Sequence, residues 1–228
     1  MATTNLGSPL RLGAADGKGF AKGTLGGLTS PVFVYGPFAP TTASTVTVVA
    51  AQGKASSGNL TLNGSLVSSG VATLDIPRNI QVVSTSASDT TLTSTVTGTD
   101  TYGVALVETI TYTGTTASQG LKAFKTVTNV AVSGSTAGTV AAGPGDVFGL
   151  PYRANGRYAT ITYWDSLPVT TGTFVAAVTS TATATTGDVR GTYLVPSASD
   201  GTKKLVIWEY LEDVDSNDGL YGVAQYGG

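Results

Sequence analysis

The sequence predicts an all-β chain: an antiparallel β-sandwich, jelly-roll-like, preceded by an extended N-terminal arm. Three observations predict it. From Thr45 onward Thr and Val alternate in short runs, with turn residues recurring roughly every 8–12 positions, the pattern of short antiparallel strands. No window offers a convincing amphipathic helix, because Thr, Val and Gly, all modest to poor helix formers, dominate nearly every stretch. Charged residues make up 11% of the 228 and Gly supplies 30 of them, about half and about twice the usual shares of ~25% and ~7%.

Residues 1–44 show no sustained period of 2 or 3.6 and are sown with Gly and Pro. They read as an extended arm, with residues 45–228 as the sandwich domain. The arm carries one apolar island, Pro31-Val-Phe-Val-Tyr-Gly-Pro-Phe38. Leaving its aromatic side chains in water would cost roughly 1.5–3 kcal/mol each. Phe33, Tyr35 and Phe38 are therefore expected to anchor the arm on a neighbouring subunit or a larger assembly.

Strands are read, in order, at 45–50, 59–62, 65–67, 71–75, 80–84, 91–97, 104–113, 123–132, 158–164, 173–179, 189–194 and 204–210. No strand is read between Val132 and Tyr158. Asn63-Gly64 and Asn155-Gly156 supply the positive φ angles of a type I′ hairpin turn, and Asp200-Gly201 is a weaker third signal. The Thr/Ser/Ala/Gly-rich tracts 84–101 and 178–187 are low in charge and high in β-branched residues, which favours sheet or ordered loop over disorder.

In the strand at 104–113, alternation puts Glu108 on the face that carries Val104, Leu106, Ile110 and Tyr112. An unpaired buried carboxylate is costly, so a structural ion pair between Glu108 and Arg78 is expected, with backbone amides or Thr hydroxyls as the alternative partners.

Composition also bounds the chemistry. With no His and no Cys, the chain cannot build a Ser-His-Asp or Cys-His nucleophile, an imidazole or thiolate metal site, or a disulfide. Twelve basic against 14 acidic residues leave a net charge of −2, without the basic footprint that nucleic acid requires. No stretch approaches the ~20 apolar residues of a membrane span, and the N-terminal residues lack the basic head and apolar run of a secretory signal. The expectation is a chain without enzymatic activity, cofactor, nucleic-acid partner or membrane partner.

The tempting motifs fall short. Gly13-Ala-Ala-Asp-Gly-Lys-Gly19 has the wrong spacing for a phosphate-binding loop and no Ser or Thr after the Lys. Asp213-Val-Asp-Ser-Asn-Asp-Gly219 places its Gly one position late for a calcium loop and lacks the closing Glu. Glu209, Glu212, Asp213, Asp215 and Asp218 read as a solvated acidic turn rather than a glycosidase acid pair. Asn59-Leu-Thr and Asn63-Gly-Ser match a glycosylation pattern by chance in a Ser/Thr-rich chain. Tyr152, Tyr158, Tyr163 and Trp164 fit a sandwich core or subunit interface better than a sugar platform.

Three phrases carry more than composition: Leu74-Asp-Ile-Pro-Arg-Asn-Ile80, Val96-Thr-Gly-Thr-Asp-Thr-Tyr-Gly103 leading to Glu108-Thr-Ile110, and Thr186-Gly-Asp-Val-Arg-Gly-Thr-Tyr193. With the ending Tyr221-Gly-Val-Ala-Gln-Tyr226, the chain resembles small β-rich virion structural proteins of tailed bacteriophages, of the kind that decorate or cement the head, over roughly residues 70 to 228. The resemblance implies no catalytic residues. It implies assembly in the host cytoplasm, a place on the outer surface of the capsid, the major capsid protein as partner, and self-association as a homotrimer. A tail or neck component and a carbohydrate-binding surface module are the alternative readings.

Overall fold

The computed structural model describes residues 18–25, 28–151, 161–169, 172–175, 178 and 187–210. These residues form sixteen strands and no helix. The strands are β1 (Lys18–Leu25), β2 (Leu28–Phe38), β3 (Val49–Gln52), β4 (Gly58–Asn59), β5 (Val67–Ser68), β6 (Val71–Ser84), β7 (Thr93–Thr99) and β8 (Ala105–Thr111). They continue with β9 (Ser118–Gln119), β10 (Phe124–Val132), β11 (Val140–Gly149), β12 (Ile161–Trp164), β13 (Leu167–Val169), β14 (Thr173–Val175), β15 (Thr192–Leu194) and β16 (Leu205–Tyr210). All pairings are antiparallel, and the all-β, sandwich-like class expected from the Thr/Val alternation is the one observed.

The strands make two sheets. The larger runs β14-β15-β11-β6-β10-β7-β8, with β3 on β11, β4 on β10, and β5 and β9 on β6; the smaller runs β1-β2-β16-β12-β13. The larger sheet curls into a half-barrel. Its curl gathers Leu74, Ile80 and Val82 of β6, Val96 of β7, Leu106 and Ile110 of β8, and Phe124, Val127 and Val130 of β10 into one core. A second core fills the space between the sheets, where Tyr35, Trp164, Leu205 and Ile207 of the small sheet meet Ile76, Phe148, Leu150 and Tyr193.

β6 is the spine of both cores. It is a single strand of 14 residues, not two, and it pairs with β10 along its first part and β11 along its second. Pro77 lies in its middle, where the register shifts on both sides, the position a proline without an N–H can occupy.

The N-terminal segment corrects the expected arm. β2 lies between β1 and β16, with Tyr35 opposite Ile207 and Phe33 opposite Glu209. Tyr35 is buried and its ring sits 4.6 Å, edge to face, from that of Phe38. Both pack on the second core, so Tyr35 and Phe38 anchor their own chain; of Phe33 only the backbone is described. The pairing partner lies far along the chain, which local periodicity cannot register, and Pro31, Gly36 and Pro37 interrupt the alternation.

β11 was hidden for a related reason. Its Ala-Ala-Gly-Pro-Gly centre reads as a break, yet these small residues let the 44–48 connector lie against it, through Ser44 N to Pro144 O at 2.9 Å and Val48 N to Ala142 O at 3.1 Å.

The hairpin at Asn63-Gly64 is also corrected. Gly64 sits under Thr47, where a Cβ would overlap the Thr47 carbonyl, and Asn63 Oδ1 accepts the Ala50 N–H at 2.9 Å. The tight turn lies instead at Ser69-Gly70, both with positive φ (52° and 79°), joining β5 to β6. Asp165-Ser166 (55° and 67°) does the same between β12 and β13 without any glycine. Asn155-Gly156 lies outside the described residues.

Candidate functional site

Burial of charge is the most distinctive feature of this fold. Arg78, Arg190 and Lys122 are all essentially inaccessible, as are Asp100, Glu108 and Asp188. A chain so poor in charge places much of its charge inside, at three nodes.

The first node surrounds Arg78. β6 aims the guanidinium across the junction of the two cores, over the Phe148 ring with its Cζ 5.0 Å from the centroid. Nε donates to Gly145 O at 2.6 Å, Nη1 to Thr41 O at 2.8 Å, and Nη2 to Asp146 Oδ1 at 3.0 Å and Ser199 Oγ at 3.3 Å. Asp75 Oδ1 stands 3.5 Å from Nη1, while Oδ2 of the same residue accepts the Thr41 N–H at 2.7 Å and hydroxyl at 2.9 Å. Burial pulls the guanidinium pKa down, and Asp75 and Asp146 hold it up; an arginine remains a cation under that contest. Burial alone would raise the Asp75 pKa, but the Thr41 and Ile76 amides and Arg78 outweigh it and keep it below the usual carboxylate range. The expected Arg78–Glu108 pair is therefore corrected: Arg78 takes Asp75, Asp146 and carbonyl oxygens from β11 and the 39–48 connector.

Glu108 forms the second node with the alternative partners, backbone amides. Its carboxylate accepts the N–H of Leu121, by a very short bond, and that of Lys122 at 3.2 and 3.3 Å. Lys122 Nζ donates to Val107 O at 2.9 Å. Gly120 is required here, since a Cβ would stand 2.7 Å from Ile80 O and meet Glu108 Oε2 as well. Burial drives the Glu108 pKa up to about 7, against the opposing pull of the two amides and Lys122. Burial likewise lowers the Lys122 pKa.

The third node joins two of the phrases singled out in the sequence. Arg190 Nη2 meets Asp100 Oδ2 in a short, fully buried ion pair, and its Cζ lies 5.1 Å from the centroid of Tyr102. Asp100 Oδ1 accepts the N–H groups of Tyr102 at 2.8 Å and Val104 at 3.0 Å, shaping the β7–β8 turn. Asp188 accepts the Ala123 N–H at 3.1 Å and the Arg190 N–H at 2.9 Å, which fastens residues 187–191 to the start of β10.

A groove of about 400 Å³ opens beside the Glu108 node, lined by Thr109, Thr111, Thr113, Ser118, Gln119 and Leu121 among others. Behind it, the outer face of β7 and β8 presents Thr93, Thr95, Thr97 and Thr99 beside Val107, Thr109 and Thr111, with no charge. Some of these hydroxyls are already partnered: Thr95 and Thr109 meet at 3.4 Å, and Thr99 meets Thr126 of β10 at 2.7 Å.

These nodes hold carboxylates on amides, hydroxyls and cations, an arrangement that fixes backbone. Among the described residues no three Asp or Glu side chains converge as metal ligands would. Trp164 is buried and donates its indole N–H to Ser197 Oγ at 2.8 Å, and Tyr163 rests near Trp208 with centroids 6.1 Å apart, a packing role for both. Tyr152, Tyr158 and the acidic run 212–218 lie outside the described residues. Sequence reasoning missed Asp75, Asp146 and Ser199 as partners of Arg78, and the Arg190–Asp100 pair; a lone Arg and a lone Asp sitting inside otherwise uncharged phrases were the available signal.

Comparison with known proteins returned no matching family, no matching curated protein and no matching solved structure.

Proposed function

We propose that this chain is a non-enzymatic structural protein of a tailed-bacteriophage virion, one that binds the assembled head from outside and stabilises it. One observation carries the reading: the three phrases on which the resemblance rests supply six of the eight charged residues at the three nodes, all but Asp146 and Lys122. Asp75 and Arg78 come from the first, Asp100 and Glu108 from the second, Asp188 and Arg190 from the third. These residues lock the β module together rather than converging on a substrate-sized cleft, as a rigid binding module needs.

The mechanism is linkage. A protein that binds the closed lattice and not its free subunits adds its binding free energy to the barrier against opening, and many modest sites suffice. The uncharged Thr/Val face of β7 and β8 suits such contacts, because an interface without ion pairs is little affected by salt. The major capsid protein is the partner in this reading, with self-association into a homotrimer on the capsid surface.

The test is to purify virions of the phage that encodes this chain and look for it by electron cryomicroscopy. The expected result is density for the two-sheet module on the outer surface of the head. Density at the tail or neck, or a chain absent from the particle, would overturn the reading, and so would turnover of a polysaccharide by the purified protein.

A further inference from the structure

β8 ends the larger sheet, and its outer edge faces β9 across an interrupted seam. Tyr112 N donates to Leu92 O and Asp100 N to Val104 O, so the even-numbered residues of this strand direct their backbone groups to β7. Thr109 and Thr111 then turn theirs away, because opposed residues of an antiparallel pair alternate between bonded and unbonded. β9 pairs with β6 on its other side, where Gly120 N donates to Ile80 O. By the same alternation Gln119 turns its backbone N–H and carbonyl away from β6, toward the groove that it lines. No described residue meets the backbone groups of Thr109, Thr111 or Gln119 there. Clasps close the seam at its two ends. At one, Thr113 bridges Thr116 and its hydroxyl meets Ser118 Oγ at 2.9 Å; at the other, Lys122 Nζ covers Val107 O at 2.9 Å. Between them the groove of about 400 Å³ lies within the range of small-ligand pockets, about 300–1,000 Å³, and has room for a few residues of extended chain.

We propose that this groove is a strand-addition site, in which an extended, uncharged segment of the major capsid protein lies along β8 and pairs its backbone with Thr109 and Thr111. The proposal rests on the reading of the chain as a head-binding protein. Backbone donors and acceptors in a row at strand spacing are complementary to another backbone, which supplies the affinity while side chains set the fit. Natural sheet edges are blunted by Lys, by Pro or by shortness. The other edges of this molecule follow that rule: β1 carries Lys18 and Lys22, β13 carries Pro168, and β14 has three residues. The seven residues of β8 hold neither Lys nor Pro. The one charged residue that lines the groove, Glu108, is turned to the Leu121 and Lys122 amides. What remains is the hydroxyls of Thr111, Thr113 and Ser118 and the side chain of Leu121, 47% exposed on the rim. Such a lining selects a segment without charge. The groove also adjoins the uncharged outer face of β7 and β8, so strand addition would extend the same capsid-facing surface.

Amide hydrogen exchange of the full chain, free and bound to purified phage heads and read by mass spectrometry, tests this. Exchange at Thr109 and Thr111 should slow at least tenfold on the heads, while residues 140–149 of β11 stay level. Thr109→Pro removes one outward N–H and leaves the bonds to β7 in place, as proline does at a strand edge; its affinity for heads should fall about tenfold. Binding to heads without new protection at 109 and 111, or unchanged binding of Thr109→Pro, would overturn strand addition while leaving head binding intact. The wild-type exchange decides even if the variant fails to fold. The same protection on self-association without heads would make a second copy the occupant and overturn the capsid segment. No binding to heads at all would overturn the functional reading itself, and the proposal with it.

Discussion

Arg78 of β6 and Glu108 of β8 are both buried ionisable groups of one curled sheet, with β10 and β7 between their strands, yet their surroundings treat them oppositely. Around Arg78, four segments of chain converge with carbonyls, a hydroxyl and two carboxylates that themselves retain some solvent. Glu108 receives two amides at the edge of a sheet, and burial prevails over them. Burial of charge is tolerated in proportion to the donors and acceptors brought to it. A planar guanidinium with five N–H groups can collect more partners at a strand crossing than a carboxylate can at an edge.

The largest effect should come from removing residues 1–44. That deletion takes away β1 and β2, uncovers Leu205 and Ile207, and strips Thr41 from the Arg78 node while leaving the Glu108 node untouched. The truncated chain should lose the cooperative thermal transition of the full chain, measured by near-UV circular dichroism. Unchanged melting would mean that the second core does not depend on the small sheet.

Arg78→Met should cost about 3–5 kcal/mol in urea denaturation, the usual result of removing one partner of a buried pair and leaving the others uncompensated. A loss under 1 kcal/mol would place Arg78 on the same footing as an exposed pair and remove the contrast with Glu108.

A smaller effect is expected at Gly120. Gly120→Ala forces a methyl group toward Ile80 O and the Glu108 carboxylate, and overpacking of this kind costs about 1–3 kcal/mol. The same denaturation experiment measures it, and a neutral outcome would mean that the backbone at Gly120 has room to shift away from Ile80 O.

How much of this was legible in the sequence follows the range of the interactions. Strands such as β7, β8, β10 and β16 declare themselves by alternation, and Glu108 declares its burial by sharing a face with Leu106 and Ile110. What alternation cannot carry is the identity of a partner across space. Arg78 and Glu108 were a plausible pair because each was a lone charge in an apolar setting, but the strand order puts Gly145 and Asp146 of β11 beside Arg78 and residues 121–122 beside Glu108. β2 and β11 were missed because Gly and Pro, which read as breaks, serve here where backbones approach closely or the register shifts.

Burial raises the pKa of Glu108 to about 7, and stability as a function of pH reports on that acid. A carboxyl group whose folded-state pKa is raised stabilises the fold while protonated. That contribution is full below the unfolded-state value and is lost as pH rises toward the folded value of about 7. Asp75 and Asp89, whose pKa values are lowered in the fold, have the opposite sign and withdraw their stabilisation only in acid. Urea denaturation of the wild type should therefore lose about 3 kcal/mol between pH 4.5 and 7.5 from Glu108, and Glu108→Gln should not show that loss. Parallel wild-type and Glu108→Gln profiles over this range would contradict the account.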